Sequence, residues 1–137
     1  MKIQGQAALV TGGGSGLGEA TARAFAAEGA HVVIAEYNET TGASVARSLK
    51  DQGYKALFIK TDVSKPEQCL AMVDQALKEF RRVDVLVNNA GINVFHDPLS
   101  MPEDEWKRCF AVDLEGVWHC TRAVLPGMRA HKKGAVV

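Results

Sequence analysis

Residues 11–18 read TGGGSGLG and lie between an apolar β-prone run, residues 7–10, and an alanine-rich helical stretch, residues 19–27. Few folds accept a strand that ends in a glycine loop and turns at once into a helix. Such a junction aims unpaired backbone N–H groups, and the positive end of the helix dipole, at one spot. The guest that suits that spot is a phosphate. Gly12, Gly16 and Gly18 then have separate duties: a tight turn, close backbone approach to a pyrophosphate, and close packing of helix on strand. Taken alone, the same glycines also fit a solvent-exposed turn, and the rest of the chain has to decide.

A chain of 137 residues is long enough for one domain that buries roughly two-thirds of its unfolded surface. No low-complexity tract, internal repeat or polar linker divides it, so residues 1–137 are expected to form a single domain. Sixteen basic and sixteen acidic residues cancel, which gives no pull toward nucleic acid or a membrane surface. Cys69, Cys109 and Cys120 form an odd set without a Cys-x-x-Cys pair. Neither a disulfide framework nor a zinc site is suggested, and the expectation is a reducing compartment without a metal. The opening MKIQGQ lacks an apolar signal core, and no stretch approaches the roughly 20 apolar residues of a membrane span. A cytoplasmic location is expected.

Beyond the glycine loop, strand-like and helical stretches alternate. Gly29 stops the first helix, and residues 31–35, HVVIA, read as a buried strand with Glu36 at its end. Glu36 is either an exposed loop acid or, 18 residues after Gly18 and so near the expected spacing of about 20, the acceptor for a ribose hydroxyl in a βαβ dinucleotide fold. Asn38 is placed to cap a helix reaching about Gln52, with Val45 and Leu49 inward and Gly53 ending it. Residues 56–59 form the next strand, and Asp62 follows it on the rim where ligands bind in this architecture. Its carboxylate either caps a turn or accepts from an adenine amino group. Ser64 and Glu67 read as the capping box of a third helix with Leu70, Val73, Leu77 and Phe80 on its inner face.

Residues 83–87, VDVLV, make a fourth buried strand ending in Asn88, Asn89, Ala90 and Gly91. These suit a turn, or a polar loop offering amides to a ligand. Strands alternating with helices predict a doubly wound parallel α/β sheet of Rossmann type in the order 3-2-1-4-5. The loops at Gly12 and Asn88 would then flank one crevice. Ser100 and Glu103 read as a capping box opening a long helix to about His131, which Pro126 and Gly127 should bend or end early. Trp106, Phe110, Leu114, Val117, Trp118, Cys120, Thr121, Val124, Leu125 and Met128 share an arc of roughly 160°, wider than a minimal core stripe. That arc either packs wholly inside or is shared between the sheet and a partner subunit. Asp113 projects into it as a satisfied acid or part of a site. Residues 134–137, GAVV, begin a fifth strand.

The spacing T-G-x-x-x-G-x-G, the acid Glu36, the pair Asp62-Val63 and the NNAG of residues 88–91 together resemble the short-chain dehydrogenase/reductase family over essentially all 137 residues. The resemblance implies NAD(P) held by Gly12, Gly14, Ser15, Gly16, Leu17, Gly18, Glu36, Tyr37, Asp62, Val63, Asn89, Ala90 and Gly91. It implies hydride transfer between a secondary alcohol and a ketone, and a homodimer or homotetramer built partly through the long helix. Asp113 stands where the family has an asparagine that supports a proton relay, which trades an amide donor for a charge. The family's catalytic serine after the fifth strand, and its Tyr-x-x-x-Lys, have no counterpart here: Thr41 lies four after Tyr37 and Phe58 four after Tyr54.

These 137 residues are therefore expected to be the cofactor-binding half of an NAD-dependent oxidoreductase, truncated at the fifth strand and inactive alone. The alternative is a non-catalytic dinucleotide-binding module. A flavodoxin-like phosphate binder is disfavoured because Glu36 would repel further phosphate. NAD is expected over NADP, because the extra phosphate would face the Glu36 carboxylate while Ser15 and Tyr37 beside it are uncharged.

Overall fold

The apolar runs form strands because both of their faces are covered. In the computed structural model, which describes residues 3–137, the strands β1 (Ala7–Thr11), β2 (His31–Glu36), β3 (Ala56–Lys60), β4 (Val85–Val87) and β5 (Ala135–Val136) pair in parallel in the order β3-β2-β1-β4-β5. This is the expected doubly wound order. Side chains alternate across the sheet, so Ala8, Val10, Val32 and Ile34 enter one core and Leu9, Val33 and Ala35 the other. A sheet buried on both sides needs continuous apolar strands, which is what the sequence supplies.

The first core is closed by α1 (Gly16–Ala27) and α2 (Glu39–Asp51), through Ala22, Ala26, Val45 and Leu49. The second is closed by α3 (Pro66–Phe80) and α5 (Gly116–Ala130), through Cys69, Met72, Ala76, Cys120, Val124 and Met128. Where these two helices meet, the Cys120 thiol donates to the Cys69 sulfur at 3.7 Å. That bond lowers the Cys69 pKa and, with burial, drives Cys120 far above its ordinary value. Asn38 caps α2 as expected, accepting from the Thr41 N–H at 3.2 Å. Gly29 and Gly53 end their helices at φ +83° and +86°, a conformation glycine adopts without penalty.

Neither capping box forms, and proline is the reason in both cases. Pro66 occupies the first turn of α3 and Lys65, extended because a proline follows it, becomes the N-cap without a side-chain bond. Ser64 donates instead to Asp62 Oδ1 at 2.6 Å. At α4 (Glu103–Phe110) the N-cap is Pro102, and the Ser100 hydroxyl turns back to the Asp97 carbonyl at 3.3 Å. On α3, the docked stripe is Cys69, Met72, Val73 and Ala76, so Leu70 lies outside and is exposed.

The long helix also departs from expectation. It passes from α4 into a π-helical segment, Ala111–Glu115, before α5. It does not stop at Pro126, which α5 carries in its interior, held by Val124 and Met128 buried on either side. Nor is the broad arc one intramolecular contact. Cys120, Val124 and Met128 are buried, whereas Trp106 is 53%, Phe110 45%, Leu114 61% and Trp118 59% exposed.

At the opposite end of the sheet, Asp84 is a buried acid that sequence reasoning passed over. It accepts from the Ala7 N–H at 2.9 Å, from Arg82 Nε at 2.7 Å, and from Arg82 Nη2. It thus ties the start of β1 to the start of β4. Asp84→Ala should cost about 2–3 kcal/mol in urea unfolding, because the Ala7 N–H loses its buried acceptor. Asp84→Asn, which keeps an acceptor oxygen, should cost clearly less.

Candidate functional site

The chain leaves β1 toward β2 on one side and later returns to β4 on the other, so the loops after these strands part at their carboxyl ends. In open α/β sheets that parting is where ligands sit. A crevice of about 670 Å³ occupies it, within the usual range for small-molecule sites. Four loops meet there, after β1, β2, β3 and β4.

Thr11 fixes the width of the crevice. Its hydroxyl, fully buried, donates to the Val87 carbonyl at 3.3 Å and accepts from the N–H groups of Asn89 and Ala90, each at 3.1 Å. The Asn89 amide returns the contact, donating to the carbonyls of Thr11 at 3.0 Å and Gly12 at 3.2 Å. The two loops that should flank one crevice are therefore bonded together at its floor. Asn88 faces away, its amide on Thr121 Oγ1 at 3.4 Å and its N–H on the Val137 carbonyl at 2.8 Å.

The glycines differ in their surroundings. Gly12 turns the chain at φ +64°. Gly16, at φ +53°, has open space where a Cβ would be, so the backbone there is approachable. A Cβ on Gly18 would collide with the Gly12 carbonyl oxygen, so this glycine serves the packing of α1 on the loop. Gly14 is also behind the lining, buried with its N–H on Glu36 Oε2 at 3.0 Å. Ser15 stands at the N-cap of α1 in extended conformation, but its side chain makes no cap bond. The first N–H groups of that helix stay without a capping side chain, at a terminus where Ser15, Gly16 and Leu17 line the crevice.

Glu36 and Tyr37 line the same space at the end of β2. The Glu36 carboxylate spans its loop, with Oε2 on Gly14 and Oε1 accepting from the Asn38 N–H at 3.0 Å. A carboxylate offers about four acceptor positions, so two remain. Asp62 and Val63 form the wall after β3; Asp62 Oδ1 is held by the Ser64 N–H at 3.0 Å as well as its hydroxyl. Asn89, Ala90 and Gly91 supply the opposite wall.

Asp113 lies in the π-helical segment and is exposed rather than inside the apolar arc. Its Oδ1 accepts from the Ile92 N–H at 2.9 Å and its Oδ2 faces the Cys109 thiol at 3.4 Å. One carboxylate oxygen thereby fastens the π turn to the loop after Gly91 and the other ties it to the last turn of α4. Desolvation, and then the bond and charge of Asp113, hold the Cys109 pKa above its ordinary value, so the thiol stays a donor. Thr61, Ser64, Ile92, Arg108 and Val112 also line the crevice and were not foreseen. For Arg108 and Val112 the signal was present: they are four apart on one helix face, and Asp113 already placed that helix beside the site.

Residues 6–137 match the short chain dehydrogenase family. The chain belongs to that family. Among short chain dehydrogenases, it is 44% identical over 128 residues, 92% of this chain and 49% of that protein, to the short chain dehydrogenase/reductase astE of Aspergillus oryzae. It is 44% identical over 131 residues to the cis-4-hydroxycyclohexanecarboxylate dehydrogenase of Sinomonas cyclohexanicum, covering 95% of this chain and 52% of that one. A crystal structure of a short chain dehydrogenase/reductase from Burkholderia phymatum in complex with NAD aligns with a TM-score of 0.96 at 32% identity, over 99% of this chain and 49% of that chain. The chain thus spans about half the length of the relatives it matches.

Because Thr11 holds both loops through one hydroxyl, Thr11→Val should cost about 1–3 kcal/mol in denaturant unfolding, removing the acceptor of the half-buried Ala90 N–H and leaving the Asn89 N–H with the Val87 carbonyl alone. Thr11→Ser keeps the hydroxyl and loses one methyl, so about 1 kcal/mol is expected.

Proposed function

We propose that this chain is the dinucleotide-binding part of an NAD-dependent oxidoreductase that transfers a hydride between a secondary alcohol and a ketone. One observation carries the proposal. The glycine loop, Glu36, Asp62 and the Asn89–Gly91 loop, far apart in sequence, line a single crevice. Its residues suit each part of the cofactor. The open backbone at Gly16 and the uncapped start of α1 suit a pyrophosphate. Glu36 retains acceptor positions for ribose hydroxyls, and Asp62, whose Oδ2 makes no bond among the described residues, suits an adenine amino group.

The cofactor, when bound, supplies or takes the hydride through its nicotinamide ring. The residues of this chain bind and orient it: Ser15, Leu17 and Gly91 line its path, Tyr37 and Val63 its adenosine end. Asp113, in the place of the relay asparagine, keeps the π turn against Ile92 through an acceptor oxygen, a task that aspartate and asparagine both perform. These 137 residues hold no Tyr-x-x-x-Lys to move the proton, so their part is to hold the cofactor. The substrate is a small alcohol or ketone. The exposed face of Trp106, Phe110, Leu114 and Trp118 meets a second copy in a homodimer or homotetramer, and the protein works in the cytoplasm. Among the described residues no helix is long and apolar enough to cross a membrane.

Cofactor choice follows from charge. The additional phosphate of NADP would stand against the Glu36 carboxylate, and at 4 Å each unit-charge pair costs about 1 kcal/mol in water and about 4 kcal/mol at an effective dielectric near 20. In fluorescence titrations NADH should bind more tightly than NADPH. Glu36→Gln should narrow that ratio by about fivefold or more. Equal binding of the two by the unaltered protein, or an unchanged ratio in the variant, contradicts the assignment of Glu36.

A further inference from the structure

Arg108 is the one basic side chain lining the crevice among the described residues, a crevice that also carries the acids Glu36 and Asp62. It has partners within reach on its own helix and takes neither. Asp104 is four residues before it, the spacing at which neighbouring Lys107 pairs with Glu103 at 2.8 Å. Glu105, three before it, meets His96 instead at 2.7 Å. Among the described residues the Arg108 guanidinium makes no ion pair or hydrogen bond. A cation that leaves an available i, i+4 partner and lines a cavity is placed for a ligand rather than for the helix.

Its position says which part of the ligand. Val112 is one turn further along the same face and lines the crevice with it, as do Tyr37, Asp62 and Val63. Gly116, one further turn along that face, abuts Val63, so the face carrying Arg108 and Val112 runs toward the wall formed by Asp62 and Val63 and brings apolar surface, an acceptor and a planar cation to one part of the crevice. That combination fits a flat heteroaromatic base carrying an exocyclic amino group. A guanidinium is planar, weakly hydrated and always charged, and it stacks on aromatic faces where an ammonium acts only as a point charge.

We propose that Arg108 lies on the adenine ring of the bound dinucleotide and closes the crevice over its adenosine end. The assignment rests on the crevice being a dinucleotide site, and it adds a contact from α4 that the four strand-end loops do not supply. Arg108 binds the cofactor and takes no part in the chemistry.

The test is the dissociation constant of NADH, AMP and nicotinamide mononucleotide for the protein, Arg108→Ala and Arg108→Lys, at low and high salt. Arg108 is exposed, so both variants should fold, which circular dichroism checks. Arg108→Ala should weaken NADH and AMP alike by about three- to tenfold, leave the mononucleotide unchanged, and do so at both salt concentrations; Arg108→Lys should recover little. Undiminished AMP binding by Arg108→Ala overturns the proposal. So does full recovery by lysine with a loss that fades in high salt, which marks a phosphate contact. Failure of the unaltered protein to bind NADH or AMP refutes instead the dinucleotide reading beneath it.

Discussion

The hydroxyl of Thr11 joins the two halves of the site. One side chain donates to the Val87 carbonyl and receives the N–H groups of Asn89 and Ala90, so the end of β1 and the loop after β4 are set as a unit. A buried hydroxyl with one donor and two acceptor positions filled has no second arrangement of equal energy. From that junction the glycine loop rises at a fixed angle into α1, and Asn89 and Gly91 face it across the crevice. The parallel sheet brings these loops to one rim, and this junction sets how far apart they stand.

Much of this was legible because the fold depends on features that short stretches of sequence record directly. Apolar runs between glycines mark strands buried on both faces, and Glu36 falls at the end of its strand because β2 pairs with β1 residue for residue, Thr11 opposite Ala35. Asn38 was readable as a cap because nothing near it competes. Ser64 and Ser100 were not, because Pro66 and Pro102 dictate the helix starts and free each serine for another bond. Leu70 misled because helical spacing defines a stripe but not which of two overlapping stripes docks. Among the other lining residues, Thr61 simply precedes Asp62 at the end of β3, whereas Ile92 joins the site through the way α4 and the π turn fold back over the loop after β4, a placement only weakly signalled by the spacing of Arg108, Val112 and Asp113.

The π-helical segment connects sequence, dynamics and function at one place. A π turn in a helix leaves the regular hydrogen-bond ladder and is common at functional sites. Here it carries Asp113, and both oxygens of that carboxylate face groups of neighbouring turns and loop, Ile92 and Cys109. The bond to Ile92 needs only an acceptor oxygen at this position. On either side of it and within it, α4, the π turn and the start of α5 turn Trp106, Leu114 and Trp118 outward, which is more exposed apolar surface than a helix facing only water would carry.

A dinucleotide in the crevice where the four loops meet would contact all four of them at once. Hydrogen–deuterium exchange of the protein with and without NADH addresses this directly, since it reports each backbone segment separately. Slowed exchange in residues 11–18, 36–38, 62–64 and 89–92, with the far ends of the strands unchanged, is the predicted result. Protection that falls elsewhere, or NADH at saturating concentration that leaves those four loops unaffected, would contradict it.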